Sequence, residues 1–179
     1  MLEIYYIVNQ VNVDFIFANT NINIIFAFVS MRINGKSYHT IWLSDEDSSA
    51  VQIIDQRKLP FVFEILDLTT PEDCFYAIRD MAVRGAPLIG ITAAYGMYLA
   101  LLTFKGDDLT GYLQKKALYL KSARPTAVNL AYAVDTMLEF IEKNLRNADL
   151  KQLALKKAEE LKSLEISFSE KIGEFGLKI

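Results

Sequence analysis

Apolar positions fall in short extended runs in the first third of the chain and at helical spacing thereafter, so the pattern predicts strands first and helices second. Residues 31–33 and 37–43 flank Asn34-Gly35-Lys36. An Asn-Gly pair between extended runs predicts a β-hairpin, because its tight turn needs positive φ at both central residues. The acidic stretch 44–49 reads as a loop. Strand-like runs follow at 51–54 and, past Leu59-Pro60, at 61–66, completing a small antiparallel sheet.

From residue 70 the period changes. Thr69 or Thr70 is placed to cap a helix that begins at Pro71, with Glu72 and Asp73 in the first turn, where negative charge suits the helix dipole. Cys74, Ile78 and Met81 recur on one face, so this helix is expected to reach Val83 and stop at Arg84-Gly85. Pro87 opens a second helix over 87–102 that is apolar or small nearly all round, the pattern of a buried helix. Its small residues Gly90, Ala93, Ala94 and Gly96 allow close backbone approach, which must offset the roughly 1 kcal/mol that Gly costs relative to Ala inside a helix. Further helices are predicted over 109–121, over 125–144 from Pro125, and over 150–171, the last half exposed and with Asp149 as its candidate cap. The fold class is α+β: a small antiparallel β module at 31–69, then a helical bundle at 70–179.

Residues 1–30 depart from this. They are rich in Ile, Asn, Phe and Val, hold no Lys or Arg, and carry only Glu3 and Asp14 as charges. A secretory signal starts with basic residues, so none is expected. Asn9, Asn12, Asn19, Asn21 and Asn23 interrupt every apolar run short of the roughly 20 residues that span a bilayer, and no membrane partner is expected. The preferred account makes Met31 the true start and the preceding stretch a spurious upstream extension; the alternative is an edge strand.

Composition narrows the function. The chain has 179 residues, 52% apolar and 23% charged, enough to bury a core. Its net charge of −3 lacks the basic surplus of a phosphate-backbone binder, so no nucleic-acid partner is expected. The single Cys74 excludes an internal disulfide and a cysteine-rich zinc site, in keeping with a reducing compartment; the expected location is the cytoplasm, with no metal and no cofactor.

Two segments carry candidate chemistry. In 81–90, Arg84 stands between a helix end and a helix start, and Gly85 and Ala86 supply a tight backbone beside free helix N–H groups, a setting for phosphate. In 124–130, Arg124 precedes Pro125-Thr126 at another helix start. Spacing alone favours plainer readings: Arg84 capping carbonyls, Arg124 on the surface. Asn129 either orients Arg124 or packs. His39, expected in a strand, reads as structural, and Cys74 as core rather than nucleophile. Asp55 is expected to anchor the sheet to the bundle through Arg57. Gly85 to Thr92 approaches a P-loop pattern, but Ile91 stands where the lysine is required.

The segments M-A-V-R-G-A-P-L-I-G at 81–90 and R-P-T-A-V-N-L at 124–130, with D-Q-R-K-L-P at 55–60 and A-A-Y-G at 93–96, resemble the methylthioribose-1-phosphate isomerases. That group belongs to a larger family that also holds ribose-1,5-bisphosphate isomerases and regulatory subunits of initiation factor 2B. The resemblance starts at Met31 and covers the N-terminal part of such an enzyme. It implies that Arg84, Gly85, Ala86 and Arg124 contact a phosphorylated pentose, and that full-length members are homodimers. It places the catalytic cysteine and aspartate in a Rossmann-like second domain. The expectation is therefore a truncated isomerase of methionine salvage, with no catalytic residue in this chain and no activity alone. A regulatory or assembly module like the initiation factor 2B subunits is one alternative. Ribose-1,5-bisphosphate isomerase is another, although D-Q-R-K-L-P and the proline of R-G-A-P lean toward the methylthioribose branch.

Overall fold

The computed structural model describes residues 31–33 and 35–176; the readings of residues 1–30 and of Asn34 lie outside the described residues. Strand β1 (Met31–Ile33) pairs antiparallel with β2 (Lys36–Tyr38) as the expected hairpin. Strands β3 (Ile41–Leu43), β4 (Val51–Ile54) and β5 (Ile65–Leu68) form an antiparallel meander in that order. Ile41, Val51, Ile53 and Leu68 are buried on its inner side. On the opposite side one row of cross-strand partners is polar: Trp42 Nε1 donates to Gln52 Oε1 at 2.8 Å, and Gln52 Nε2 to Asp67 Oδ1 at 2.8 Å.

Two strand expectations are corrected. The single run 37–43 divides at His39 and Thr40 into strands of different sheets: Lys36 and Ser37 are exposed, whereas Ile41 turns inward opposite Ile53. His39 lies exposed in the link, not in a strand. The run 61–66 becomes β5 only from Ile65, because the carbonyl of Lys58 accepts the N–H groups of Phe61 (3.0 Å) and Val62 (2.9 Å) and holds both in a turn.

Asp55, at the end of β4, is fully buried, and its carboxylate accepts from the Arg57 backbone N–H (3.0 Å), Nε (2.8 Å) and Nη2 (2.7 Å). The pair is thus local and does not itself tie the sheet to the bundle. That link is made by the Gln56 N–H donating to the Ala82 carbonyl at 2.9 Å and by Tyr98 Oη donating to the Ser48 carbonyl at 3.0 Å.

Five helices follow: α1 (Pro71–Arg79), α2 (Ala86–Thr103), α3 (Leu109–Ser122), α4 (Val128–Lys143) and α5 (Leu150–Gly176). The α+β fold, with a small antiparallel sheet leading into helices, is the one expected. Thr70 caps α1 in a full capping box with Asp73. The helix ends at Arg79, short of the expected Val83. The Asp80 N–H bonds back to Tyr76, Met81 takes a left-handed φ of 61°, and the Val83 N–H returns to the Ala77 carbonyl at 3.2 Å. Burial of Ala82 and Val83 offsets the cost of a non-glycine residue in that conformation.

Helix α2 is the centre of the bundle, buried without interruption from Leu88 to Leu101 and packed against each of the other helices. By length and composition it would cross a membrane, but 78% of it is buried by its neighbours, and a core position accounts for its apolar character. A Cβ on Gly96 would lie 3.1 Å from Cys74 Cβ and from both terminal methyls of Leu120, so this glycine sets the approach of α1 and α3. Helix α5 runs to Gly176, beyond the expected 171, and is tied to α2 by buried Tyr95, whose hydroxyl meets Glu159 and, at 3.2 Å, Lys162 Nζ. Glu159 and Lys162 also pair with each other.

Candidate functional site

Helices α2 and α4 begin at the same end of the bundle. A Cβ built on Gly90 would lie 2.9 Å from the backbone carbonyl oxygen of Asn129, so the second turn of α2 meets the first turn of α4 backbone to backbone, and only glycine permits it. Arg84 precedes one start and Arg124 the other.

These two starts differ from those of α1 and α3 in having no side-chain cap. Helix α1 is capped by Thr70 and α3 by Asp108, whose carboxylate accepts from the Gly111 N–H at 2.8 Å. At α2 and α4 the N-caps are Gly85 and Ala127, which contribute no side-chain hydrogen bond, and neither helix has an acidic residue in its first turn. First-turn N–H groups without a side-chain acceptor, carrying the positive end of the helix dipole, suit an anion.

Arg84 is exposed in the link between α1 and α2, and its Nε donates to the Met81 carbonyl at 3.3 Å, the plainer of its two readings. Gly85 has φ 90° and ψ 136° with open space where a Cβ would stand, so backbone conformation rather than crowding calls for glycine. Ala86 is the exposed first residue of α2. Arg124 is half-buried; its carbonyl accepts the Ala127 N–H at 3.0 Å, closing a turn. That turn delays α4 to Val128, so Pro125 and Thr126 precede the helix instead of opening it.

Cys74 is fully buried, and burial pushes its thiol up from the ordinary range, as befits a core residue. Among the described residues no group of three or more His, Cys, Asp or Glu is placed to hold a metal ion.

One pocket of about 220 Å³ borders the arginine end. Pro87, Gly90 and Ile91 of α2 line it, with Asn129 and Tyr132 of α4. The far wall is α5, through Leu161, Leu164 and Phe168, with Glu165 beside them. The sequence predicts α5 as a half-exposed helix but does not place its apolar side against the arginine end. The recurrence of Leu161, Leu164 and Phe168 at helical spacing is the signal that would have found it.

The initiation factor 2 subunit family matches residues 82–179, a span that includes both arginine segments. The chain belongs to this family. Its relatives include a methylthioribose-1-phosphate isomerase from Desulfatibacillum aliphaticivorans, 45% identical over 147 residues, covering 82% of this chain and 40% of the relative. An enzyme of the same name from Escherichia coli O45:K1 is 43% identical over 149 residues, 83% of this chain and 39% of that protein. The chain thus spans about 40% of the length of these curated relatives. Among solved structures it is similar to 5-methylthioribose 1-phosphate isomerase from Pyrococcus horikoshii OT3, with a TM-score of 0.61 and 32% identity over 68% of this chain and 35% of that one. Translation initiation factor eIF-2B subunit delta from A. fulgidus has a TM-score of 0.60 and 36% identity, covering 68% and 36%. The family expected from the two arginine segments is the family found.

Proposed function

We propose that this chain is the pentose-binding portion of a methylthioribose-1-phosphate isomerase, an aldose–ketose isomerase of methionine salvage. In this reading Arg84, the backbone at Gly85 and Ala86, and Arg124 hold the phosphorylated sugar. The observation that carries it is the Gly90–Asn129 approach, which joins two helix starts lacking side-chain caps, each preceded by an arginine. A phosphate there would meet two guanidinium groups and the first-turn N–H groups of both helices. The curated relatives named for this reaction support the substrate class.

Proton transfer is not assigned to this chain. Its single cysteine is sealed in the core, with no access to a sugar in the site. The reading is therefore binding without turnover for this polypeptide by itself.

Calorimetric titration of the chain with methylthioribose 1-phosphate tests the proposal. Arg84→Ala and Arg124→Ala are each expected to weaken binding at least about tenfold, since a hydrogen bond to a charged group contributes about 1.5–3 kcal/mol. Equal affinity in the double variant, or no binding by the unaltered chain, sinks it. The likeness to the A. fulgidus subunit favours a second reading, a non-catalytic regulatory module. A nucleotide bound in preference to the sugar phosphate would select that one.

A further inference from the structure

Asp55 is the one buried charged residue among those described, and it touches neither the arginine end nor the pocket. Stability alone does not call for it, since apolar side chains of like volume often serve as well as a buried ion pair. We propose, resting on the sugar-phosphate reading above, that Asp55 is a positioning residue for Arg84. It locks Arg57 and the turn between them, and that turn holds the link 80–84 through the Gln56 N–H, so the guanidinium is in place before a phosphate arrives.

The carboxylate closes the turn with three bonds. Oδ1 accepts the Arg57 backbone N–H at 3.0 Å and Nε at 2.8 Å, and Oδ2 accepts Nη2 at 2.7 Å. The residue enclosed is Gln56, whose N–H donates to the Ala82 carbonyl at 2.9 Å, two residues before Arg84. Among the described residues, the other hydrogen bonds of the link stay within it and α1. The Asp80, Met81 and Val83 N–H groups return to the carbonyls of Tyr76, Ile78 and Ala77, and Arg84 Nε reaches only the Met81 carbonyl, at 3.3 Å. The Gln56 N–H is therefore the hydrogen bond that fixes the link from the sheet side.

A second tie is electrostatic. Arg57 is held above its ordinary pKa first by its bonds to Asp55, and in smaller part by the charges of Asp80 and Glu64. Asp80 is where α1 gives way to the link, so a guanidinium fixed by Asp55 attracts the near end of the segment that carries Arg84. Such holding matters here because Met81 leaves the helix at φ 61°, a conformation a non-glycine residue keeps only under constraint. An arginine placed in advance binds more tightly, since less of its freedom remains to be lost on binding.

The test is a titration of the full 179-residue chain with methylthioribose 1-phosphate in single and double variants, folding being checked by circular dichroism. Asp55→Asn is expected to weaken binding about threefold to tenfold, the scale on which members of one hydrogen-bonded network couple. In the Arg84→Ala background it should cost nothing further, and in Arg124→Ala it should cost as much as in the unaltered chain. A role in general stability would weaken binding alike in all three. Arg57→Lys keeps the charge but loses the two-point grip, and its site is 41% exposed, so the core is untouched. It should show the same dependence on Arg84 with a smaller loss, and it carries the test if Asp55→Asn does not fold. Full affinity in these variants, or a loss undiminished in Arg84→Ala, overturns the inference and leaves the sugar-phosphate reading standing. If Arg84→Ala itself binds as tightly as the unaltered chain, both fall.

Discussion

At Asp55 two opposing effects meet. The Arg57 guanidinium hydrogen-bonded to it holds its carboxyl below the ordinary value of 3.8, and burial pushes the other way without prevailing. A lowered folded pKa means stabilisation that is present above the ordinary value and lost as pH falls through the lowered one. Asp55→Asn is therefore expected to cost about 1–3 kcal/mol at pH 7, discounted because the Arg57 side chain is 41% exposed. The gap to the unaltered protein should close below about pH 4. Urea unfolding at pH 7 and pH 3 checks this, and an undiminished gap at pH 3 would contradict it. The kind of residue at Asp55, Arg84 and Arg124 was legible because each stands beside a local cue, a D-x-R pair or a Gly or Pro break. The target of each side chain was not. Arg57 turns back on Asp55 instead of reaching the bundle, and only the folded backbone decides that.

Among the elements, α2 was the most readable and does the most to position the site. Its two interior glycines contact different neighbours, Gly90 the backbone of α4 and Gly96 side chains from α1 and α3. Each is expected to lose about 1–3 kcal/mol on substitution by alanine, since overpacking forces neighbours to shift. Only Gly90→Ala should also weaken sugar-phosphate binding, because it alone pushes the two arginine-bearing helix starts apart. Thermal unfolding beside the same titration separates the two effects, and equal loss of affinity in Gly96→Ala would show that loosened packing in general is responsible. Helix ends were less legible than helix bodies. Periodicity carried α1 to Val83, yet the chain leaves the helix at Asp80 because Ala82 and Val83 gain more by burial than by another half-turn. Pro125 is a sound helix opener by propensity, but the Arg124–Ala127 turn postpones α4 to Val128.

For the molecule as a whole, α5 closes the bundle over α2, and buried Tyr95 is its polar tie. Its hydroxyl is pushed far up from its ordinary pKa by burial and by the Glu159 carboxylate, and it stays protonated as the donor to Glu159. Tyr95→Phe removes the group that Glu159 and Lys162 share, at an expected cost of about 1–2 kcal/mol. Hydrogen exchange should rise selectively in α5, since the other contacts of α2 are untouched. Exchange rising evenly over all five helices would argue that Tyr95 supports the core at large. Because α5 also forms the far wall of the pocket, its docking bears on the site as well as on stability.

Local sequence was sufficient for the α+β class, for the capped start of α1 at Thr70-Pro71, for the burial of α2 and for the two arginine segments. Capping, propensity and periodicity act within a few residues and can be read there. The division of 37–43 between two sheets, the early end of α1, the wall contributed by α5 and the joining of the arginine segments were decided by contacts between residues far apart in the chain. The closest of these, Gly90 against the carbonyl of Asn129, involves two backbones, and side-chain pattern holds no record of which backbones will meet.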